Sequence, residues 1–409
     1  MLRRCWVRLF LLGTAIATLS ASDWPKWRGP SGNGISTESV DPAGWDKEGP
    51  RRLWKAKVGV GYASAVVSQG RLFTLGNLDK GDVVTLWCLD AETGNPVWKQ
   101  TWPSELKPVM YDGGPNSTPV VDGENLYAVI KPARVVCLKA ATGKIVWEKD
   151  IQPELKADIS DWGIVGAPLV IDSFVVLNYG SNGTVLDKTT GEIRWTTGVR
   201  GNSYNVPALA QIGGQPTLMV LATNALVAVD LKDGKEHWRT PFGSGYFCHA
   251  ADPLVRGETV FISSADAGSQ LVRFSGGTPS IVWTNRALGT FTSTAIERDG
   301  FVYGINLCDT KNSGAELKCV EWDTGKVRWA QKGFGQGSFL NAGDKLLLLS
   351  DKGELTAARF SPEKFELIRR DQVIGGTCWT PPILANGRLY VRNSAGDLVC
   401  LEVAPSRSI

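Results

Sequence analysis

Seven tryptophans, Trp54, Trp98, Trp147, Trp195, Trp238, Trp283 and Trp329, follow one another at intervals of 43 to 49 residues. Most of them close the same phrase. Leu-Asp-Ala-Glu-Thr-Gly-Asn-Pro-Val-Trp ends at Trp98, and Lys-Ala-Ala-Thr-Gly-Lys-Ile-Val-Trp ends at Trp147. A fixed period in the forties, with strand-like runs inside each copy, is what propeller blades require. The period speaks to fold and leaves function open.

One copy shows the physical logic. Residues 117–121 read as a short inner strand turned by Asp122-Gly123; residues 125–130 and 134–138 read as two more strands. Thr142-Gly143 then turns the chain into an outer strand that opens at Lys144. Gly143 and its counterparts Gly94, Gly191, Gly234 and Gly325 stand four residues before the Trp, where the Thr-Gly turn needs positive φ. The Trp is then free to lie flat in the seam between blades, burying about 150–250 Å².

The phrase can be read eight times, with first strands near Ser64, Thr118, Ala167, Val206, Asp252, Ser293, Ser338 and Thr380. Two copies are worn: Pro279 replaces the glycine before Trp283, and the seventh ends Glu366-Leu367-Ile368-Arg369-Arg370 without a Trp. The eighth supplies only three strands, and the run 52–58 offers the missing fourth. The expectation is an all-β, eight-bladed β-propeller over residues 52–403, its ring closed by an N-terminal strand that removes two open edges. Residues 23–51 are expected to pack on the propeller, with 404–409 as a tail.

Met1-Leu2-Arg3-Arg4, an apolar run to Leu19 broken by Arg8, and Ser20-Ala21-Ser22 read as a signal peptide over residues 1–22. A membrane anchor is the competing reading, but a span wants ~20 uninterrupted apolar residues. Export to the periplasm or cell envelope, with no span after cleavage, is the expectation. Losing Arg3, Arg4 and Arg8 takes the formal charge from +3 to 0. A neutral chain without a basic run argues against nucleic acid as partner.

Cys88, Cys137, Cys319 and Cys400 fall at one repeat position, held elsewhere by Val185, Ala228, Val272 and Ala358. They read as small apolar side chains in the third strand of each blade. No C-x-x-C spacing suggests a metal, and none is expected. Cys308 and Cys319 flank a hairpin tip symmetrically, which leaves a cross-strand disulfide open beside the favoured reading as packing thiols.

The Thr-Gly-Lys-x-x-Trp endings, the Val-Val-Asp-Gly-x-x-Leu-Tyr openings and Asp23-Trp24-Pro25-Lys26-Trp27-Arg28-Gly29-Pro30 resemble the pyrroloquinoline-quinone-like (PQQ-like) repeat family. The likeness runs over residues 23–403 and is greatest to the BamB-like proteins of the bacterial envelope. That branch implies a cofactor-free, monomeric protein-interaction scaffold with envelope protein partners. The dehydrogenase branch implies PQQ, calcium and an Asp base on the axis, and is the alternative. The chain departs from both, for it lacks the adjacent-cysteine pair of many eight-bladed quinoproteins and the lipoprotein cysteine of BamB.

The connections from one blade's outer strand to the next blade's inner strand are rich in glycine and aromatics. Tyr62, Asn116, Tyr204, Phe291, Gln336 and Trp379 take equivalent places in them, three residues before the repeat's Pro position. With Trp162 and Asn205 they form a candidate partner or ligand face; filler for the channel is the plainer reading. His249 and Asp252 stand together at the same mouth and invite an acid–base reading, but no nucleophile motif accompanies them. No catalytic residue is assigned.

Overall fold

The computed structural model describes residues 22–78, 81–108, 111–155, 163–180, 182–197, 203–243, 245, 249–309 and 314–404. The proposed signal peptide, save its last residue, and the tail beyond residue 404 lie outside the described residues. So does Trp162.

Eight antiparallel sheets follow one another, each running from an inner strand to an outer one. Blade two consists of Val120–Asp122, Asn125–Ile130, Arg134–Lys139 and Ile145–Asp150. Blade eight is composite. Its inner strands Ile383–Ala385, Arg388–Arg392 and Asp397–Glu402 come from the end of the chain, and Arg52–Lys57 from its beginning lies on the outside. The expected closure is therefore present. Most inner strands open two or three residues later than the sequence suggests, because the first residues of each copy serve the connection.

The tryptophans dock as the spacing implies, with a detail the turn chemistry did not supply. Each repeat glycine lies beneath the Trp of the preceding blade. A Cβ added at Gly94 would sit 2.7 Å from the Trp54 ring, at Gly143 2.7 Å from Trp98, at Gly191 2.5 Å from Trp147, and at Gly234 2.6 Å from Trp195. Gly325 holds the same place under Trp283. The indole N–H of each ring donates to a carbonyl of the same turn: Trp98 to Ala140 at 3.0 Å, Trp147 to Lys188 at 3.0 Å, Trp283 to Trp322 at 2.8 Å. The glycine thus serves two ends, positive φ for its own turn and a flat floor for its neighbour's ring. Trp238 faces the worn fifth copy. Its ring stacks on Phe274, and its indole nitrogen finds no partner among the described residues.

Gly191→Ala is therefore expected to cost about 2–4 kcal/mol, from ~1–2 for the left-handed backbone and the rest for the displaced Trp147. Gly213, at φ +57° with open space around it, supplies the control. Gly213→Ala should cost only the backbone term. Equal losses in denaturant midpoint would remove the seam contact from the account.

The cysteine position is the middle of a cross-strand row. Cys137 faces Tyr127 on one side and Trp147 on the other; Cys88 lies between Phe73 and Trp98, and Cys400 between Tyr390 and Trp54. Two assignments shift by one residue. Leu271, not Val272, faces Trp283, and Ala357, not Ala358, faces Arg369. The worn fifth and seventh turns hide that register in the sequence. Cys308 and Cys319 are not cross-strand neighbours, since Tyr303 faces Cys319 and Cys308 lies beyond the strand end. Both thiols are free.

Residues 22–38 form a strap across the face opposite the candidate one. Trp24 pairs with Val67 of blade one, and Pro25 accepts from Val121 of blade two. Ile35–Ser36 adds a parallel strand inside blade seven, and the Glu38 carboxylate accepts the backbone N–H groups of Asn386 and Gly387 in blade eight. Further on, Arg369, which stands where blade seven lacks its Trp, donates to the carbonyls of Trp45 and Asp46. Trp45 packs on the core shared by blades seven and eight. No helix among the described residues is long and apolar enough to cross a membrane.

Candidate functional site

At the axis the strap leaves little room. Trp27 donates its indole N–H to Asp252 at 2.7 Å, and Arg28 lies 3.8 Å from the same carboxylate while donating to Ala295 at 2.5 Å. The other Asp252 oxygen accepts the N–H of Val206 at 2.7 Å. Burial pushes the carboxyl of Asp252 up and the guanidinium of Arg28 down, each opposed by the charge of the other. The cavity between Trp24, Trp27, Arg28, Ser64, Ser293 and Thr294 measures about 20 Å³, space for one water.

This corrects the reading of His249 and Asp252 as a pair at an open mouth. Asp252 is enclosed by the strap, which carries no repeat and so gave no sign of its path. His249 is buried, packs against Phe242 with ring centroids 5.3 Å apart and the planes tilted by 33°, and lies 3.2 Å from the Thr223 carbonyl. Burial lowers its pKa, and among the described residues its ring meets no carboxylate in a hydrogen bond. Asn205 is also buried rather than presented. Its amide donates to the carbonyls of Leu221 and His249 and accepts from Asn178, tying three blades together. These three residues belong to the wall.

The other members of the face are half-buried: Tyr62, Asn116, Tyr204, Phe291, Gln336 and Trp379. They do not form an even ring. Tyr62 stacks on Trp379 at 5.3 Å and 28°, and Tyr111 meets Tyr62 edge-on at 5.4 Å. The Tyr62 hydroxyl donates to Asp112 at 3.1 Å, while the Tyr111 hydroxyl accepts from Asn116 at 2.9 Å and from Lys131 at 3.1 Å. Burial raises the pKa of Tyr62 to about 12 and lowers that of Lys131 to about 8. Elsewhere, Tyr204 donates its backbone N–H to His249 at 2.8 Å, and the Gln336 N–H reaches Asp351 at 3.3 Å. Sequence reasoning missed Tyr111 and Lys131. The one signal was a lysine before Pro132, breaking an apolar strand as it meets the face.

PQQ with calcium does not fit the described part of the axis. Asp252, the acid buried under the strap, is already saturated with donors, and among the described residues no three His, Cys, Asp or Glu side chains converge. What the fold presents is a propeller of PQQ-like repeats, strapped shut on one face and aromatic on the other.

The chain belongs to the family described as outer membrane protein assembly factor BamB, whose model matches residues 39–114 and 101–331. Among solved structures it is similar to BamB from Moraxella catarrhalis, with 13% identity and a TM-score of 0.63 over 86% of this chain and 99% of that one. It is also similar to quinohemoprotein alcohol dehydrogenase from Comamonas testosteroni, with 15% identity and a TM-score of 0.62 over 96% of this chain and 82% of that one. At such identities these likenesses establish the fold alone. No protein of curated function matches the chain in sequence.

Proposed function

We propose that this chain is a cofactor-free binding propeller of the bacterial cell envelope, holding a protein partner on the face that carries Tyr62, Tyr204 and Trp379. The observation that carries the reading is the division of labour between the two faces. The strap spends Asp252, the only buried acid at the axis among the described residues, on structure, while half-buried aromatics cluster on the opposite face. Aromatic side chains with part of their surface left to solvent are what interface hot spots are made of. Membership in the BamB family supports an envelope setting and a protein partner.

The test places a photo-crosslinking amino acid at position 62, 204 or 97 of the chain in its native envelope. Val97 lies exposed on the outer rim of blade one. One discrete adduct from positions 62 and 204, absent from 97, is expected. Replacing Tyr62 and Trp379 together by Ala should abolish it, with a stability loss of only ~0.5–1.5 kcal/mol for the ring pair beyond buried area. Adducts from the rim alone would overturn the reading. Dye-linked alcohol oxidation with added PQQ and calcium, lost in Asp252→Asn, would overturn it in favour of an enzyme.

A further inference from the structure

We propose that the corner made by Trp379, Tyr62, Tyr111, Asp112, Asn116 and Lys131 is a binding site for an acidic sugar of the uronate type. This goes beyond partner docking and does not require it. The three rings come from consecutive connections, after blades seven, eight and one, so the repeat brings them together at the closing seam. Tyr62 and Trp379 form a stacked shelf, and Tyr111 closes one end.

Lys131 sets the charge of the ligand. Its ammonium is part-buried, donates to the Tyr111 hydroxyl and lies 5.7 Å from that ring's centroid. No carboxylate among the described residues pairs with it, and burial alone perturbs it. An ammonium has three N–H donors, so two remain. A partly desolvated cation without a counter-charge favours an anion as its partner. Beside it, the carbonyl oxygen of the Asn116 amide is buried without a partner among the described residues, and exposed Asp112 offers a carboxylate to hydroxyl donors.

A uronate carries these features in one unit. Its C–H face suits an aromatic shelf, its hydroxyls suit Asp112 and Asn116, and its carboxylate is bonded directly to the ring. The direct bond matters because the shelf and the ammonium are only one ring apart. A peptide carboxylate also suits Lys131, but a peptide brings few hydroxyl donors for Asp112.

Calorimetry and tryptophan fluorescence with trigalacturonate and neutral maltotriose test the site on the whole chain. The wild type should bind the acidic trisaccharide about tenfold tighter, as one charge-assisted contact implies. Lys131→Met should erase that preference and Lys131→Arg restore most of it, while Trp379→Ala should weaken both sugars. Val97→Thr on the rim should change neither, and melting curves show that each variant is folded. Equal affinity for the two sugars, no saturable binding in the millimolar range, or tighter binding of a short peptide with a free C-terminal carboxylate would overturn the inference. A failure here with crosslinking at position 204 intact leaves the partner-docking reading standing.

Discussion

A chain lacking residues 22–57 is expected to lose its closed, cooperatively melting form. Blade eight would keep three strands and expose the Asp397–Glu402 edge, where Arg52–Lys57 now pairs in register. An unpaired edge of that length is a template for another copy. The same deletion removes the strap, which bonds blades one, two, five, six, seven and eight. Light scattering after size exclusion should show multimers or aggregate. A shorter deletion, 22–51, separates the two parts. It keeps the closing strand, so the chain should stay monomeric and melt lower. A monomer with wild-type melting after the longer deletion would mean that the ring closes some other way.

Which features were legible in the sequence follows from which of them repeat. The tryptophan period identified the blades, and the missing fourth strand of the last copy pointed to residues 52–58 because the sum over copies demanded it. The turn glycines were legible as turns. Their second duty under the preceding Trp was not, since it joins residues 39 to 45 apart in different copies. Non-repeating chain gave no such handle. Trp27 and Arg28 were visible as part of a motif, yet nothing in their spacing said that they reach Asp252. His249 and Asp252 are three residues apart, but their side chains leave a connection in different directions, toward Thr223 and toward the strap. In the worn seventh copy, Arg369 occupies the Trp position, and only the structure shows what it holds instead.

Arg392→Met is expected to destabilise the protein by about 3 kcal/mol or more. In the register that sets Tyr390 beside Tyr127, Arg392 stands where blade two has Val129, so an arginine interrupts a run of apolar core residues. It is 2% exposed, and its guanidinium donates to Ala63 at 2.6 Å, Leu75 at 2.7 Å, Thr74 at 2.9 Å and Gly59 at 3.0 Å. No carboxylate among the described residues shares the site, and burial pushes its pKa down to about 9. Two effects compete on substitution. Met avoids the cost of burying a cation, which by itself makes some such replacements neutral. Against that, several buried oxygens lose their donor at about 1–3 kcal/mol each. Here the second effect should win, because four buried oxygens lose the one guanidinium that they share. The acceptors lie more than 300 residues upstream and meet the guanidinium only when blade eight has closed on blade one in the right register. The buried charge therefore penalises a ring closed out of register, which an apolar residue would not do. Denaturant midpoints decide the matter: a variant as stable as wild type would show that the guanidinium is tolerated there rather than used.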